Sequence, residues 1–222
     1  MTREKAIERL EEIDREVVML EHMSSVLSWD QEMGISPKGV DERSIQLGWV
    51  ASLAHEKACS NEMGDLLALL GADRDKSEGV GKDAFEKALI RLRFRYWDKY
   101  RSMPSSLVRA ISEKATHSHE SWVEARKKDD WTLFEGDLKE IVSLVREKES
   151  CFRREGFSGY DVLLDDFETG MTGSRVDALF SSIKPSLVSM VGRLSEKGVD
   201  DDFLKLEYPI AQQEEFSKIV LK

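Results

Sequence analysis

The sequence predicts an all-α fold: a single domain, residues 1–222, of long antiparallel helices that begins with an N-terminal helical hairpin. Helix-breaking residues are rare. The chain has 14 glycines and 4 prolines among its 222 residues, about 8% in total, whereas these two residues together average about 12% in proteins. Apolar residues recur every three or four positions, the period of a helix face. No useful stretch shows the alternation of a half-buried strand. Within the domain we predict two sub-units, a hairpin arm at 1–70 and a helical bundle at 80–222.

The N-terminal hairpin is predicted from a seam of small and apolar residues. In the first helix, residues 3–32, the seam positions are spaced alternately by four and three residues, which is typical of a helix that packs along another. These positions are Ala6, Leu10, Ile13, Val17, Leu20, Ser24 and Leu27. A loop rich in helix breakers at 34–39 precedes a second helix at 40–59, so the two helices are expected to run antiparallel.

The rest of the chain continues the helical pattern. Helices are predicted at 62–70, at 83–101, from Pro104 to a stop at Asp129, from an Asp130 cap to Arg154, and from a Thr172 cap to Lys197. Pro185 lies inside the last helix and is expected to bend it. The segment 157–171 is expected to be acidic and turn-rich. The inward face of the 83–101 helix is predicted to carry Phe85, Ala88, Leu89, Leu92, Tyr96 and Tyr100.

The last residues form one more helical pattern, with Ile210, Phe216, Ile219 and Val220 in period. No glycine cap or proline follows the pattern before residue 222. Two interpretations stay open: the chain continues in some longer relative, or this is an ordinary frayed C-terminus.

Charge and cysteine content exclude several classes of protein. The formal net charge is −10, from 33 Lys+Arg and 43 Asp+Glu, which argues against a nucleic-acid binder because such proteins need a basic face. The two cysteines, Cys59 and Cys151, exclude a disulfide framework and favour a reducing cytoplasm. No run of about 18 apolar residues would cross a membrane, and no apolar signal core follows Met1.

His55-Glu56-Lys57-Ala58-Cys59 imitates the zinc-protease motif H-E-x-x-H, with cysteine in the last place. Residues four apart share a helix face, so His55 and Cys59 could both contact one ion. A catalytic zinc needs a third protein ligand, for which His22, His117, His119 or a carboxylate would be required. The alternative is a chance pairing on a helix, with Cys59 acting as a small buried apolar residue.

The second histidine pair, His117 and His119, does not predict a chelating site. Residues two apart on a helix point about 200° away from each other, so they cannot hold one ion. The H-E-x-x-H spacing that begins at His119 fails because its fifth position is Val123. We interpret both histidines as surface or structurally satisfied residues.

Two charged segments invite a functional interpretation. Basic residues surround Tyr96 and Trp97, a mixture found in some single-strand nucleic-acid sites: Arg91, Arg93, Arg95, Lys99 and Arg101. These charges encircle their helix, so we expect a solvated helix with one buried aromatic side.

Four acidic residues could act as general acid and base or hold a hard cation, although capping and solvation also explain them: Asp161, Asp165, Asp166 and Glu168. No G-x-S-x-G nucleophile motif occurs.

Four segments, in this order and at these separations, are similar to a known family. They are LSWDQE at 27–32, SLAHE at 52–56, WVEAR at 122–126, and YDVLLDDFETGMT at 160–172, continued by VDALF at 176–180. Together they resemble the N-terminal half of carboxypeptidase Taq-type metallocarboxypeptidases, over nearly the whole chain. A departure is Gly173-Ser174-Arg175, where relatives tend to be more acidic.

The resemblance implies a helical, cytoplasmic and often dimeric protein of a family that removes C-terminal residues from peptides. It also implies one divalent metal, zinc or cobalt, held in the full-length family by the two histidines of H-E-x-x-H and a later glutamate. The motif lies beyond the segment that this chain resembles, and His55-Glu56 matches a scaffold helix instead. We therefore assign no catalytic, metal-binding or cofactor-binding residue to this chain.

These observations predict a carboxypeptidase Taq-like fragment that lacks the H-E-x-x-H zinc site and is inactive alone. It would form the helical wall of a substrate cleft that another chain completes. The expected partner is a separately encoded catalytic half or a second copy of the chain as a homodimer, with no nucleic acid and no membrane. The alternative is a stand-alone helical module for protein interaction or oligomerisation.

Overall fold

The structure is a computed structural model that describes residues 1–74, 80–157, 159–198 and 201–221. Across these residues the secondary structure is helical and no β-strand occurs; a single isolated bridge joins Arg154 and Phe157. The predicted all-α class is confirmed. The described residues contain no candidate membrane-spanning helix.

The helices follow the predicted order. They are α1 (Arg3–Gly34), α2 (Val40–Ala58), α3 (Asn61–Leu69), α4 (Ala84–Tyr100), α5 (Ser105–Lys128), α6 (Thr132–Phe152), α7 (Tyr160–Leu164), α8 (Gly173–Ser195) and α9 (Ile210–Val220). Short 3-10 turns lie at Pro37–Gly39 and Asp202–Lys205. The short helix α7 was not predicted, because turn-forming acidic residues hide its single turn. Helix α8 runs on through Pro185.

Local sequence explains where several helices begin and end. The Ser60 hydroxyl accepts the Met63 N–H at the start of α3, a bond that satisfies one free donor of a helix N-terminus. Helix α5 ends at Asp129, whose φ of 51° is left-handed. The Asp130 carboxylate then accepts the Thr132 N–H at the start of α6. The stop predicted at Asp129 is confirmed. Asp130 satisfies a free N–H at the start of α6 as predicted, but from one position before the N-cap residue, Trp131.

Helices α1 and α2 form the predicted antiparallel hairpin. Arg43 of α2 pairs with Asp30 near the end of α1 at 2.5 Å, whereas Lys57, near the end of α2, pairs with Glu16 in the middle of α1. The ion pairs therefore run in opposite order along the two helices. The seam of α1 faces the protein interior, where its first four positions are buried: Ala6, Leu10, Ile13 and Val17.

The inward face predicted for α4 is confirmed only in part: Leu89 is buried and Tyr96 packs against the same core cluster, as predicted, but other positions differ. Phe85 and Leu92 are 64% and 58% exposed. Ile90 is buried instead, and Phe94 and Trp97 pack against the same core cluster. The inward face is rotated around α4, because several apolar residues lie on both candidate faces and periodicity alone could not choose between them.

Glycine makes the contact between α3 and α4 possible. A Cβ atom built on Gly64 would lie 2.4 Å from Cζ2 of Trp97, well inside van der Waals contact. The indole of Trp97 also donates to the Ser60 carbonyl at 3.2 Å. The aromatic ring of α4 is thus fixed directly against the backbone of α3.

The chain divides into two compact units, Met1–Thr172 and Gly173–Lys222. The sub-units predicted at 1–70 and 80–222 stay a prediction. The first unit holds both clusters of buried apolar side chains, one around Leu10 and one around Phe152. In the second unit, none of the side chains that the structure describes is buried.

Candidate functional site

The His55 and Cys59 side chains do meet, at the end of α2. His55 is 5% exposed, and its Nε2 lies 2.8 Å from the Met103 carbonyl oxygen. A carbonyl only accepts, so Nε2 carries the proton and donates. Nδ1 is then an acceptor, and it lies 3.7 Å from the Cys59 sulfur, which donates its S–H.

This pair is neutral and is not an activated nucleophile. Burial lowers the pKa of His55, although the bond to the Met103 carbonyl acts in the opposite direction. Burial also raises the pKa of the Cys59 thiol to about 12. A reactive cysteine needs a lowered pKa and a charged partner, so a thiolate–imidazolium pair does not form here at neutral pH.

The residues around His55 do not fit the metal that the family implies. The carbonyl bond occupies Nε2. Each of the other histidines has different surroundings: His22 is exposed on α1, the Nδ1 of His117 lies 3.7 Å from Asp41, and the His119 ring contacts Trp122. Within the described ranges, no three or more His, Cys, Asp and Glu side chains are placed together to hold an ion. We therefore derive no metal chemistry from this chain's residues.

Two carboxylates of the acidic segment 160–172 form ion pairs with lysines and are not simply solvated. Asp165 is 5% exposed and lies 2.8 Å from the Lys99 ammonium group. Asp166 contacts the same ammonium group at 2.5 Å and Lys148 at 2.8 Å. It also accepts the Tyr100 hydroxyl at 2.8 Å. The network ties the segment after α7 to α4 and α6.

Both carboxylates stay ionised at neutral pH. Burial alone would raise the pKa of Asp165, but the bonds from Lys99 and from the Gly170 N–H outweigh it and lower the pKa. The pKa of Asp166 is likewise lowered, against the effect of burial, by Lys148, Lys99 and Tyr100. A general acid needs a raised pKa, so these two residues are structural ions. Their pairing with α4 was not predicted, since the partners are more than 60 residues apart.

The expectation that the basic residues of α4 are simply solvated is wrong. Arg93 pairs with Asp14 of α1, and Arg95 contacts Asp165 at 3.4 Å. Arg101 lies 4.4 Å from the centre of the Trp97 ring. Most of these cations therefore hold other elements to α4.

Helix α8 carries a continuous apolar surface, which we call the α8 apolar face. Its side chains lie within about 120° of one another around the helix axis and are between 43% and 61% exposed: Leu179, Phe180, Ile183, Leu187, Val191 and Leu194. Helix α9 adds Phe216, Ile219 and Val220, each at least 65% exposed. Apolar surfaces of this extent mark interaction sites.

A sequence model of the carboxypeptidase Taq (M32) metallopeptidase family matches residues 9–222. This chain belongs to that family. The match confirms the resemblance drawn from the ordered segments between residues 27 and 180.

Two curated relatives in this family are thermostable carboxypeptidases. Thermostable carboxypeptidase 1 of Thermus thermophilus is 29% identical over 98% of this chain and 44% of the relative. Thermostable carboxypeptidase 1 of Pyrococcus furiosus is 29% identical over 83% of this chain and 36% of the relative. The chain thus spans less than half the length of these curated relatives.

Solved structures agree on the fold. The BsuCP crystal structure superimposes with a TM-score of 0.87 over 98% of this chain and 43% of that one, at 20% identity. The Pyrococcus furiosus carboxypeptidase structure gives a TM-score of 0.67 at 27% identity, over 86% of this chain and 37% of that one. The helical arrangement of this chain is therefore that of part of an M32 carboxypeptidase.

Proposed function

We propose that this chain forms the helical wall of a metallocarboxypeptidase substrate cleft and that another polypeptide supplies the catalytic, metal-binding half. The single observation that carries the proposal is the family match over residues 9–222. On this proposal the assembled protein removes C-terminal residues from peptides in the cytoplasm. The 222-residue chain alone is inactive.

The chemistry of the chain supports a scaffolding role. Metal-assisted hydrolysis needs a bound metal, a base and an open coordination position. Here the His55 and Cys59 pair is neutral, and the Asp165 and Asp166 carboxylates are engaged by lysines. The side chains that were candidates for a catalytic role therefore form structural contacts within the fold.

The α8 apolar face supports a role for a second polypeptide. A stable interface has an apolar, fully covered centre, and this face offers six large side chains with no cover in the described structure. The catalytic half is the occupant that would cover it on this proposal.

Co-expression tests the assembly. The 222-residue chain is produced with a neighbouring open reading frame that encodes H-E-x-x-H, and the mixture is assayed on a peptide whose C-terminal residue is released by carboxypeptidases. We expect the two proteins to co-purify and to trim the peptide, a metal chelator to stop the reaction, and neither protein alone to act. Peptide trimming by the 222-residue chain alone, or two proteins that neither co-purify nor gain activity, would contradict the proposal.

Matched variants of α8 locate the contact. Ile183→Glu with Leu187→Glu places two charges on the α8 apolar face and is expected to abolish co-purification. Ser181→Glu with Ser189→Glu adds the same charge on the opposite side of the helix and is expected to leave it intact. Equal effects of the two pairs would place the contact elsewhere.

A second candidate function is self-association, which an exposed stripe on α1 favours. Its residues recur at helical spacing and are between 50% and 67% exposed: Met19, Met23, Val26, Trp29 and Met33. The seam that includes Leu10 and Val17 is buried and cannot serve. Light scattering on the chain, compared with a Met23→Glu and Val26→Glu variant, tests for a dimer that this stripe forms; a strict monomer would remove this candidate.

A further inference from the structure

Two adjoining cavities open along one side of α4, beside the loop after α3 and the segments that follow α6 and α7. Their volumes are about 640 Å³ and 320 Å³. They share four lining residues, Arg74, Asp98, Lys99 and Arg154, so they form one depression, which we call the basic cleft. Small-molecule sites commonly have volumes of about 300–1,000 Å³.

The basic cleft is positively charged in a chain whose formal net charge is −10. Five cationic side chains and two carboxylates line the larger cavity: Arg74, Arg91, Arg95, Lys99 and Arg154, with Asp98 and Asp165. A concave surface lined by one sign of charge concentrates the electrostatic field and attracts ions of the opposite sign. The excess charge therefore favours an anionic ligand.

Both carboxylates of the larger cavity form ion pairs within the protein, whereas two of its arginines form none with the described residues. The guanidinium of Arg74 donates twice to Asp98, at 2.8 and 2.9 Å, and Asp165 is engaged by cations of α4. Arg91 and Arg154 form no ion pair with any residue whose position the structure describes. These two guanidinium groups remain available to a ligand.

The surroundings of the free arginines suit binding. The Arg154 guanidinium stacks 4.6 Å from the centre of the Phe157 ring, an arrangement that leaves its in-plane N–H donors available. Arg91 is exposed on α4. Beside it, Leu92, 58% exposed, and Phe94 give the cavity an apolar wall, which suits the organic part of a ligand.

We propose that the basic cleft binds a small organic anion that carries two or more phosphate or carboxylate groups. Arginine matches both groups because its planar fork donates two parallel hydrogen bonds to either. Arg91 and Arg154 would each receive one anionic group, and the apolar wall would contact the part between them. The proposal concerns residues 74–170 and does not depend on peptidase activity.

Isothermal titration calorimetry of the 222-residue chain at low salt tests this binding. The probes are pyrophosphate, which carries two phosphates, citrate, which carries three carboxylates, and acetate as a singly charged control. Saturable one-to-one binding of pyrophosphate alone identifies a phosphate ligand, and of citrate alone a carboxylate ligand. Acetate is expected not to bind measurably, since it can use only one of the two arginines.

Variants assign the binding to the cleft. Arg91→Gln with Arg154→Gln is expected to weaken binding by about tenfold or more. Arg126→Gln with Arg146→Gln removes the same charge from two exposed arginines outside the cleft and is expected to change the affinity less than about twofold. Asp98→Asn is expected to tighten binding, because it releases the guanidinium of Arg74.

Three outcomes would overturn the proposal. One is the absence of saturable binding for both polyanions while circular dichroism shows a folded chain. Another is equal weakening by the two arginine pairs, which would indicate a general charge effect. The third is tighter binding of a 20-nucleotide single strand through Arg91 and Arg154, which would make the cleft a nucleic-acid site.

Discussion

The units Met1–Thr172 and Gly173–Lys222 share the same helical periodicity of apolar residues, but they differ in whether the apolar helix faces are buried. In the first, apolar faces close over one another and buried ions join distant parts of the chain, as Lys99 does with Asp165. In the second, the α8 apolar face is exposed, and the ion pairs of Lys205 and Lys218 reach only three or four positions along the chain. An amphipathic sequence therefore specifies which face is apolar but not what covers it.

The largest expected effect is at Lys99, whose removal would leave two carboxylates without their shared partner. Lys99→Met is expected to lower the free energy of unfolding by about 3–5 kcal/mol, the usual result of breaking a buried ion pair. Urea unfolding followed by circular dichroism measures it. Lys128→Met removes an exposed lysine that pairs within one turn with Glu124 and serves as the control, with no measurable change expected.

The same variant has a pH signature. The pKa of Asp165 is lowered in the fold, so its contribution to stability is present above about pH 4, the unfolded pKa, and is lost as the pH falls through the lowered value. In Lys99→Met the pKa of Asp165 is expected to rise, because only the Gly170 N–H and Arg95 then oppose the effect of burial. The variant is therefore expected to lose less stability than the parent protein as the pH falls through about 4. Parallel pH profiles of the two proteins would refute the assigned role of Lys99.

Truncation of one leucine in each unit tests the contrast in burial. Leu10 is completely buried, and Leu10→Ala is expected to cost about 2–5 kcal/mol through lost contacts and a cavity. Leu187 is 47% exposed, and Leu187→Ala is expected to change the unfolding free energy by less than about 0.5 kcal/mol. Similar losses would mean that α8 is covered in the isolated chain.

Alanine substitution at two glycines is expected to change the free energy of unfolding by smaller amounts, in opposite directions at the two positions. Gly64→Ala pushes a methyl group into Trp97 and is expected to destabilise the fold by about 1–3 kcal/mol. A Cβ on Gly192 in α8 meets nothing within 4 Å, and Gly192→Ala is expected to stabilise the helix by about 0.5–1 kcal/mol. Urea unfolding and helical ellipticity compare the two variants, and destabilisation by both would show that α8 is closely packed.

The smallest expected effect is at the chain's last described ion pair. Lys218 and Glu214 lie 2.9 Å apart with side chains 69% and 65% exposed. Lys218→Ala is therefore expected to change stability by less than about 0.5 kcal/mol, measured by the same unfolding assay. A loss of 1 kcal/mol or more would point to a tertiary role for α9.

Sequence alone predicted the helices well, because breakers and caps act locally. Asp129 and Asp130, for example, stop one helix and start the next through bonds within a few residues. The inward face of α4 was predicted only in part, since Leu92 and Phe94 are both apolar and only packing against α1 and α3 selects between them. Periodicity also gave no sign of the isolated turn of α7.

The candidate sites were harder to predict, because their geometry depends on long-range pairing. No residue near Asp165 in the sequence indicates that Lys99 is its partner. Likewise, the two arginines of the basic cleft that lack a described ion pair can be identified only once the other ion pairs are known. The closeness of His55 and Cys59 followed from their spacing. The carbonyl of Met103 that fixes the histidine tautomer comes from another loop and could not be inferred.

The neutral contact between His55 and Cys59 has a consequence for the chain's sensitivity to oxidants. Peroxides and alkylating reagents attack the thiolate form of cysteine, and with a pKa of about 12 Cys59 has almost none at physiological pH. We therefore expect the sulfur of Cys59, at the junction between α2 and α3, to react only slowly with such reagents.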